Sequence, residues 1–345
     1  MREDLWPTTH GASFLETHVL DTGCRRTSGG SLIRFLVTGG AGFIGSSVCD
    51  FLVSKGNDVV ALDNFSSGSR ENIADLSGNG RFTLMKGDCK SLSDVKKAIQ
   101  GVDSVLHLSA NPQVRLDRTS PEACFNENLL ATKVVLEAAS QSRISHFVYA
   151  SSSTVYGDAK LRPTHEDYSP LIPVSIYGAA KLGAEALIAG YSKVCGFDAY
   201  ILRLANVIGP RSGHGVVPDF IAKLKKDPKR LEILGDGTQT KSYLYIDDCV
   251  DAMLRVISRT DGVAVYNVGS EDQANVMRIA EIVCHEMGVA PAYDLTGGVD
   301  GGRGWVGDVK QMLLDVGRLK SLGWAPRYSS EEAVKVTVKR ILGKD

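Results

Sequence analysis

The sequence predicts an α/β fold, a doubly wound parallel sheet with helices on both faces, followed by a smaller C-terminal domain. Three observations carry this. From Ile33 to Leu204 short apolar runs alternate with helix-period stretches, the rhythm of strands buried on both faces and joined by crossover helices. The first apolar run ends directly in a glycine-rich turn, Thr38-Gly39-Gly40-Ala41-Gly42-Phe43-Ile44-Gly45. After Asn206 the alternation loosens, and glycine, proline and charge punctuate shorter elements.

Taken in order, residues 33–37 read as the first strand and 46–54 as a helix stopped by Lys55-Gly56-Asn57. Residues 59–62 form the second strand, ending at Asp63, so the chain opens with a βαβ unit. Strands follow at 82–85, 104–108, 146–150 and 199–204. Helices are expected over 92–99 and 121–139, and from Tyr177 to about Cys195. Further helices are expected at 247–257, 276–287 and 330–342, with residues 243–268 returning to the sheet. Residues 1–31 show no period, no apolar signal segment and four acidic residues, and read as a disordered extension. Residues 32–205 with about 243–270 are assigned to the nucleotide-binding domain. Residues 206–242 with about 271–345 are assigned to the substrate domain.

Composition excludes several classes. The 345 residues allow two domains at roughly 150 residues each. With 39 Lys and Arg against 40 Asp and Glu, no basic excess argues for nucleic acid or an anionic membrane. No apolar stretch approaches the ~20 residues of a membrane span. Seven scattered cysteines without a C-x-x-C suit reduced thiols, a cytoplasmic location and no metal site. Cys284-His285-Glu286 lacks a second histidine at helical spacing, and His107, on a strand, reads as core.

Gly39-x-x-Gly42-x-x-Gly45 lies between strand and helix, where a helix N-terminus offers free N–H groups and a positive dipole end to a pyrophosphate. Asp63, 18 residues past Gly45, can accept hydrogen bonds from ribose hydroxyls and repel a 2′-phosphate, which favours NAD over NADP. Tyr177 and Lys181 stand four apart, on one helix face. An ammonium beside the phenol is expected to lower a pKa that starts near ~10, making a usable base. Ser152, just past the strand at 146–150, can hydrogen-bond a reacting oxygen at the carboxyl edge of the sheet.

With these residues the chain resembles the extended short-chain dehydrogenases/reductases that modify nucleotide sugars, and within them the UDP-glucose 4-epimerases of archaeal and bacterial type. The resemblance runs from Ile33 to about Leu342. It rests on the glycine turn, Leu62-Asp63-Asn64, Lys86-Gly87-Asp88, His107-Leu108-Ser109-Ala110, the stretch Ser151 to Gly157, Tyr177-x-x-x-Lys181, Leu202-Arg203-Leu204-x-Asn206-x-x-Gly209-Pro210-Arg211 and Gly235-Asp236-Gly237. It implies a Rossmann sheet, bound NAD and a UDP-sugar substrate, with a homodimer formed through a four-helix interface of the helices at 121–139 and 177–195. A second apolar stripe, including Leu187, Ile188 and Tyr191, suits that interface.

The resemblance also implies residue roles. Tyr177 is the acid/base, Lys181 holds the nicotinamide ribose, and Ser152 assists proton transfer; all three count as catalytic. Gly39, Gly42, Phe43, Ile44, Gly45, Asp63, Asn64, Ser66, Ser67, Gly68, Asp88, Cys89, Leu108, Ser109, Ala110, Asn128 and Leu204 line the cofactor cleft with Tyr177 and Lys181. Asn206, Val216, Val217, Lys241, Arg303 and Asp308 face the nucleotide, together with Ser152 and Tyr177 at the sugar. Lys241 stands where relatives usually carry Arg, so a bidentate phosphate contact becomes a point charge. Spacing around Arg303-Gly304-Trp305 leaves open which of Arg303 and Trp305 touches the nucleotide.

The chemistry implied is 4-epimerisation: Tyr177 takes the sugar 4-hydroxyl proton while hydride passes from C4 to NAD, the 4-keto sugar turns, and hydride returns to its other face. A 4,6-dehydratase needs an Asp-Glu pair after the serine strand, and a decarboxylating relative usually carries Glu there. This chain has Ser153-Thr154-Val155. Another NAD-dependent epimerase, dehydratase or reductase of the same family is the alternative, and a non-catalytic NAD-binding regulator the alternative from another class. The hexose stays open among plain, N-acetylated and uronate forms, with Met312 expected near the pocket wall.

Overall fold

A computed structural model describes residues 33–113, 120–257 and 262–344. The expected extension at 1–31 lies outside the described residues. The chain begins β1 (Arg34–Thr38), α1 (Phe43–Ser54), β2 (Asp58–Asp63), β3 (Phe82–Lys86), α2 (Leu92–Ala98) and β4 (Ser104–His107). It continues through α3 (Pro121–Phe125), α4 (Ala131–Ser140), β5 (His146–Ser152), α5 (Ile176–Cys195) and β6 (Asp198–Leu204). Then come β7 (Asn206–Ile208), α6 (Val216–Lys226), β8 (Arg230–Ile233), β9 (Thr240–Lys241), β10 (Tyr243–Tyr245), α7 (Ile246–Val256) and β11 (Val263–Val268). The C-terminal elements are β12 (Ala274–Asn275), α8 (Val276–Met287), β13 (Ala292–Leu295), β14 (Gln311–Met312), α9 (Gly317–Lys320) and α10 (Ser330–Leu342).

Seven strands form one parallel sheet in the order β11-β6-β5-β4-β1-β2-β3. Its middle strands are buried on both faces: Phe35–Thr38 of β1 and all of β4 are closed to solvent, which is why they read as apolar runs rather than alternating ones. One core packs α1, α6, α7, α8 and α10 against one face, and a second packs α2, α4 and α5 against the other. The strand order reverses at β1, whose neighbours are β2 and β4. Such a reversal opens a crevice at the carboxyl ends of the strands.

Helix ends follow local chemistry. Ser175 caps α5 by accepting the Gly178 N–H at 3.0 Å, and Gly196 ends it in the left-handed region. Ser329 and Glu332 close a reciprocal capping box on α10.

One expectation is met with a refinement, and one element was not expected. The helix expected over 121–139 is α3 and α4 joined by a π turn, Asn126–Leu130. The widening coincides with Asn128, whose Nδ2 donates to Cys124 O at 2.9 Å and whose Oδ1 accepts from Asn111 N at 3.1 Å. Helix α6 was not expected, because glycine, proline and charge punctuate this stretch of the sequence. Pro218 falls in its first turn, where the missing N–H has no intrahelical role.

Candidate active site

The carboxyl edges of β1, β2, β4 and β5 carry the expected cofactor residues. Gly39 has φ +68°, and a Cβ there would lie 2.9 Å from the Ser109 backbone. A Cβ on Gly45 would fall 2.0 Å from Gly39 O, so α1 sits against the turn as only glycine permits. Gly42 caps α1 without any side-chain acceptor, and no acidic residue occupies its first turn, which leaves N–H groups directed at an anion. Asp63 is 7% exposed and braces this turn: Oδ2 accepts from Ala41 N at 2.9 Å and Oδ1 from Phe65 N at 2.7 Å. Each oxygen retains a lone pair for a ribose hydroxyl. Gly68 approaches so closely that a Cβ would lie 2.9 Å from Asp63 Oδ1, while Ser66 and Ser67 stand exposed beside it. Asn64 Nδ2 donates to Asp88 Oδ2 at 3.2 Å, joining the ends of β2 and β3. A cradle of this shape fits NAD: the α1 N-terminus would take its pyrophosphate, Asp63 the adenosine ribose, Asn64 and Asp88 the adenine, and Tyr177 and Lys181 the nicotinamide ribose.

Other expected cofactor residues act from behind the cleft. Asn128 is 1% exposed and spends its amide on Asn111 and Cys124, so it pins the loop after β4. The side chains of Cys89 and Leu204 lie in the cores, and burial pushes the Cys89 thiol up to about 12. Phe43 and Ile44 pack against the core from the first turn of α1, while Leu108, Ser109 and Ala110 are half-buried along the loop after β4. Buried His107 is the hub of a relay the sequence did not disclose. Thr38 Oγ1 contacts its Nδ1 at 2.7 Å and Thr132 Oγ1 its Nε2 at 3.0 Å, while Thr132 donates to Asn128 O at 2.6 Å. Because Thr132 donates onward, Nε2 carries the proton and Nδ1 accepts from Thr38. Burial holds the ring neutral, with its pKa near 3.

Ser152, Tyr177 and Lys181 meet where β5 ends. The Lys181 residue is 3% exposed; Nζ donates to Ala150 O at 2.8 Å and lies 4.7 Å from the Tyr149 ring centroid and 5.8 Å from that of Tyr177. Burial lowers its pKa to about 7, opposed by the Glu185 carboxylate one turn on. The Tyr177 phenol departs from expectation. Burial pushes it up to about 12, the Ser152 hydrogen bond pulls down against that, and Lys181 does not produce the expected fall. Desolvation of the charged phenolate form is the largest cause of the rise. Ser152 Oγ accepts from Thr154 N at 3.2 Å and from Thr154 Oγ1 at 3.0 Å. Its own proton is therefore turned towards Tyr177 or a substrate oxygen. Thr154 is the orienting residue that sequence reasoning missed, although it lies inside the quoted Ser151–Gly157 stretch.

A second cleft, of about 100 Å³, is lined by Val216, Phe220, Leu234, Val276 and Trp305 together with Gln239, Lys241 and Asp308. Lys241 Nζ is held by Asp308 Oδ1 at 2.6 Å and lies 5.6 Å from the Trp305 ring centroid. Arg303 forks instead onto Asp158, at 3.0 and 2.8 Å. Thus Trp305, and not Arg303, lines this cleft. Val217 points away, fully buried in the core, and Asn206 Nδ2 donates to Ser242 O at 3.2 Å. Met312 is buried with Val155, Tyr156 and Ala205.

Fold and cradle together define the class as a dinucleotide-dependent enzyme. Residues 35–269 match the NAD dependent epimerase/dehydratase family, to which the chain belongs. It is similar to the UDP-glucose 4-epimerase of Mycolicibacterium smegmatis, 30% identical over 89% of this chain and 98% of that protein. A crystal structure of a UDP-galactose 4-epimerase is 44% identical with a TM-score of 0.80, covering 90% of this chain and 99% of that one. The UDP-glucuronic acid 4-epimerase of Bacillus cereus, solved with UDP-glucuronic acid and NAD, is 31% identical with a TM-score of 0.82 over 90% and 99%. NAD is the cofactor, and the chain is an NAD-dependent nucleotide-sugar enzyme. Among the described residues no helix is long and apolar enough to cross a membrane.

Proposed function

We propose that the chain interconverts UDP-glucose and UDP-galactose by reversible oxidation at C4 of the hexose. The observation that carries this reading is the Ser152–Tyr177–Lys181 cluster, followed by Ser153-Thr154-Val155 with no carboxylate for an elimination or decarboxylation. Similarity to 4-epimerases over nearly the whole chain supports it. Bound NAD supplies a reversible hydride acceptor. Tyr177 Oη takes and returns the sugar 4-hydroxyl proton, with Ser152 Oγ hydrogen-bonded to it. Lys181 holds the ribose beside Tyr177, and Lys241, Asp308 and Val216 hold the nucleotide. Binding energy from the nucleotide anchors the substrate while the sugar stays loosely held and free to turn.

The proposed division remains residues 32–205 with about 243–270 for the cofactor and residues 206–242 with about 271–345 for the nucleotide. The proposed assembly is a homodimer through α3, α4 and α5. Exposed Phe125, Leu130, Ile176 and Val194 lie on or between these helices and support it. Ile188, expected on that stripe, is fully buried in the chain's own core.

The test is to incubate purified protein with UDP-galactose, without added NAD, and follow UDP-glucose by chromatography. Parallel arms take UDP-N-acetylglucosamine and UDP-glucuronate. Formation of UDP-glucose supports the reading. Turnover confined to a parallel arm, or a 4-keto-6-deoxy product, overturns it.

A further inference from the structure

Gln239, on the approach to β9, carries a buried hydrogen-bond acceptor that nothing in the described residues satisfies. The residue is 7% exposed and lines the second cleft. Its Nε2 donates to Leu234 O at 2.9 Å and to Gly302 O at 3.4 Å. Both partners are carbonyls that can only accept, so the amide cannot be turned over without setting oxygen against oxygen. The orientation is therefore fixed, and Oε1 is left with no donor. Space has been made for this arrangement: Gly235 has φ +95°, and a Cβ there would lie 1.6 Å from Gln239 Nε2. Buried polar atoms in folded proteins are nearly always paired, and leaving one unpaired carries its full desolvation cost.

We propose that Gln239 Oε1 accepts a hydrogen bond from the imide N3–H of the substrate's pyrimidine base. The inference rests on the reading of this cleft as the nucleotide site. Lys241, held by Asp308, supplies its charged end, suited to the diphosphate. Val216, Phe220, Leu234 and Val276 supply apolar walls suited to the faces of a flat base. Gln239 holds the Leu234 carbonyl, which sets its amide beside those walls. Uracil and thymine both present N3–H as a donor, whereas N3 of cytosine presents a lone pair. The amide therefore selects imide bases and rejects cytosine, since a site built around a buried acceptor discriminates strongly against a ligand lacking the donor.

The wild-type, NAD-loaded protein decides the matter by calorimetric titration with UDP, N3-methyl-UDP, CDP and 2′-deoxy-UDP. UDP is expected to bind roughly ten- to a hundredfold more tightly than N3-methyl-UDP and CDP, the range for an unpaired buried polar group. Removal of the 2′-hydroxyl is expected to change affinity less than about threefold on the same scale. In Gln239→Leu the preference for UDP over N3-methyl-UDP is expected to fall at least about fivefold. Should that variant not fold, the four wild-type titrations still decide. Equal binding of UDP and N3-methyl-UDP overturns the proposal, as does a large loss with 2′-deoxy-UDP alone, which would assign the acceptor to the ribose. Failure of UDP itself to bind overturns the underlying reading of the cleft, a result distinct from UDP binding without dependence on N3.

Discussion

The ammonium of Lys181 lies beneath the carboxyl edge of β5, with a single backbone acceptor and two aromatic faces around it. Its ordinary pKa of 10.5 falls to about 7 on burial. Below pH 7 both folded and unfolded chains carry the proton, and the full desolvation cost bears on the fold. Between pH 7 and 10.5 the unfolded chain binds the extra proton, so stability rises with pH through that window. Lys181→Met should therefore abolish turnover yet raise unfolding stability near neutral pH, on the order of 3–5 kcal/mol. Urea melts at pH 6 and pH 9 check this, because the advantage of the variant must shrink at the higher pH. A second residue-scale prediction concerns Asp158, which engages both terminal nitrogens of Arg303. Arg303 also donates to the Asp308 and Asp300 carbonyls, so Asp158→Asn removes only the competing charge. If Arg303 serves the diphosphate, UDP should bind roughly two- to fivefold more tightly at low salt. Unchanged affinity would remove Arg303 from the binding site. Tyr177, Lys181 and Ser152 were legible from spacing and strand position. The rise of the phenol was not, since desolvation depends on what packs around a group rather than on what precedes it in the chain.

Element by element, the strands were read most closely, because a strand buried on both faces announces itself as an apolar run: 59–62 was expected and Asp58–Asp63 is found. Helix α1 was expected from Ser46 but begins at Phe43. Its first turn is the glycine turn itself, and that closeness yields a prediction. Gly45→Ala places a methyl 2.0 Å from Gly39 O, which must push α1 off the turn and spoil the anion cradle. The variant should purify without NAD, read as the absorbance ratio at 260 and 280 nm, and lose about 1–3 kcal/mol of stability. A normal NAD content would show that the turn does not hold the cofactor. The π turn at Asn126–Leu130 left no local trace. Its partners Asn111 and Asn128 are 17 residues apart, and only folding brings them together. For α6 the local trace misled, because proline in a first turn looks like proline in a loop.

On the scale of the whole molecule, helix α5 is tied to the sheet by a buried charge network. Arg203 of β6 grips Glu185 of α5 at 2.7 and 3.1 Å and donates to Tyr156 Oη at 3.0 Å. Tyr156 in turn donates to Asn267 of β11 at 2.7 Å. On the outer side of α3 and α5, Phe125 is 50% and Val194 86% exposed among the described residues. Sedimentation should give a dimer mass for the wild type, and Phe125→Asp with Ile176→Asp should give a monomer, since a desolvated charge opposes apolar contact. A wild-type monomer would sink the proposed assembly. By itself the sequence determined the parallel sheet, the cofactor cradle and the Tyr/Lys/Ser cluster, because periodicity and short-range spacing are written within a few turns of chain. Only tertiary structure decided that Trp305 lines the cleft while Arg303 turns to Asp158, that Thr154 aims Ser152, and that Gln239 ends with an unpaired oxygen. Those outcomes depend on which distant groups reach one another and on how much water they exclude, quantities that no local pattern encodes.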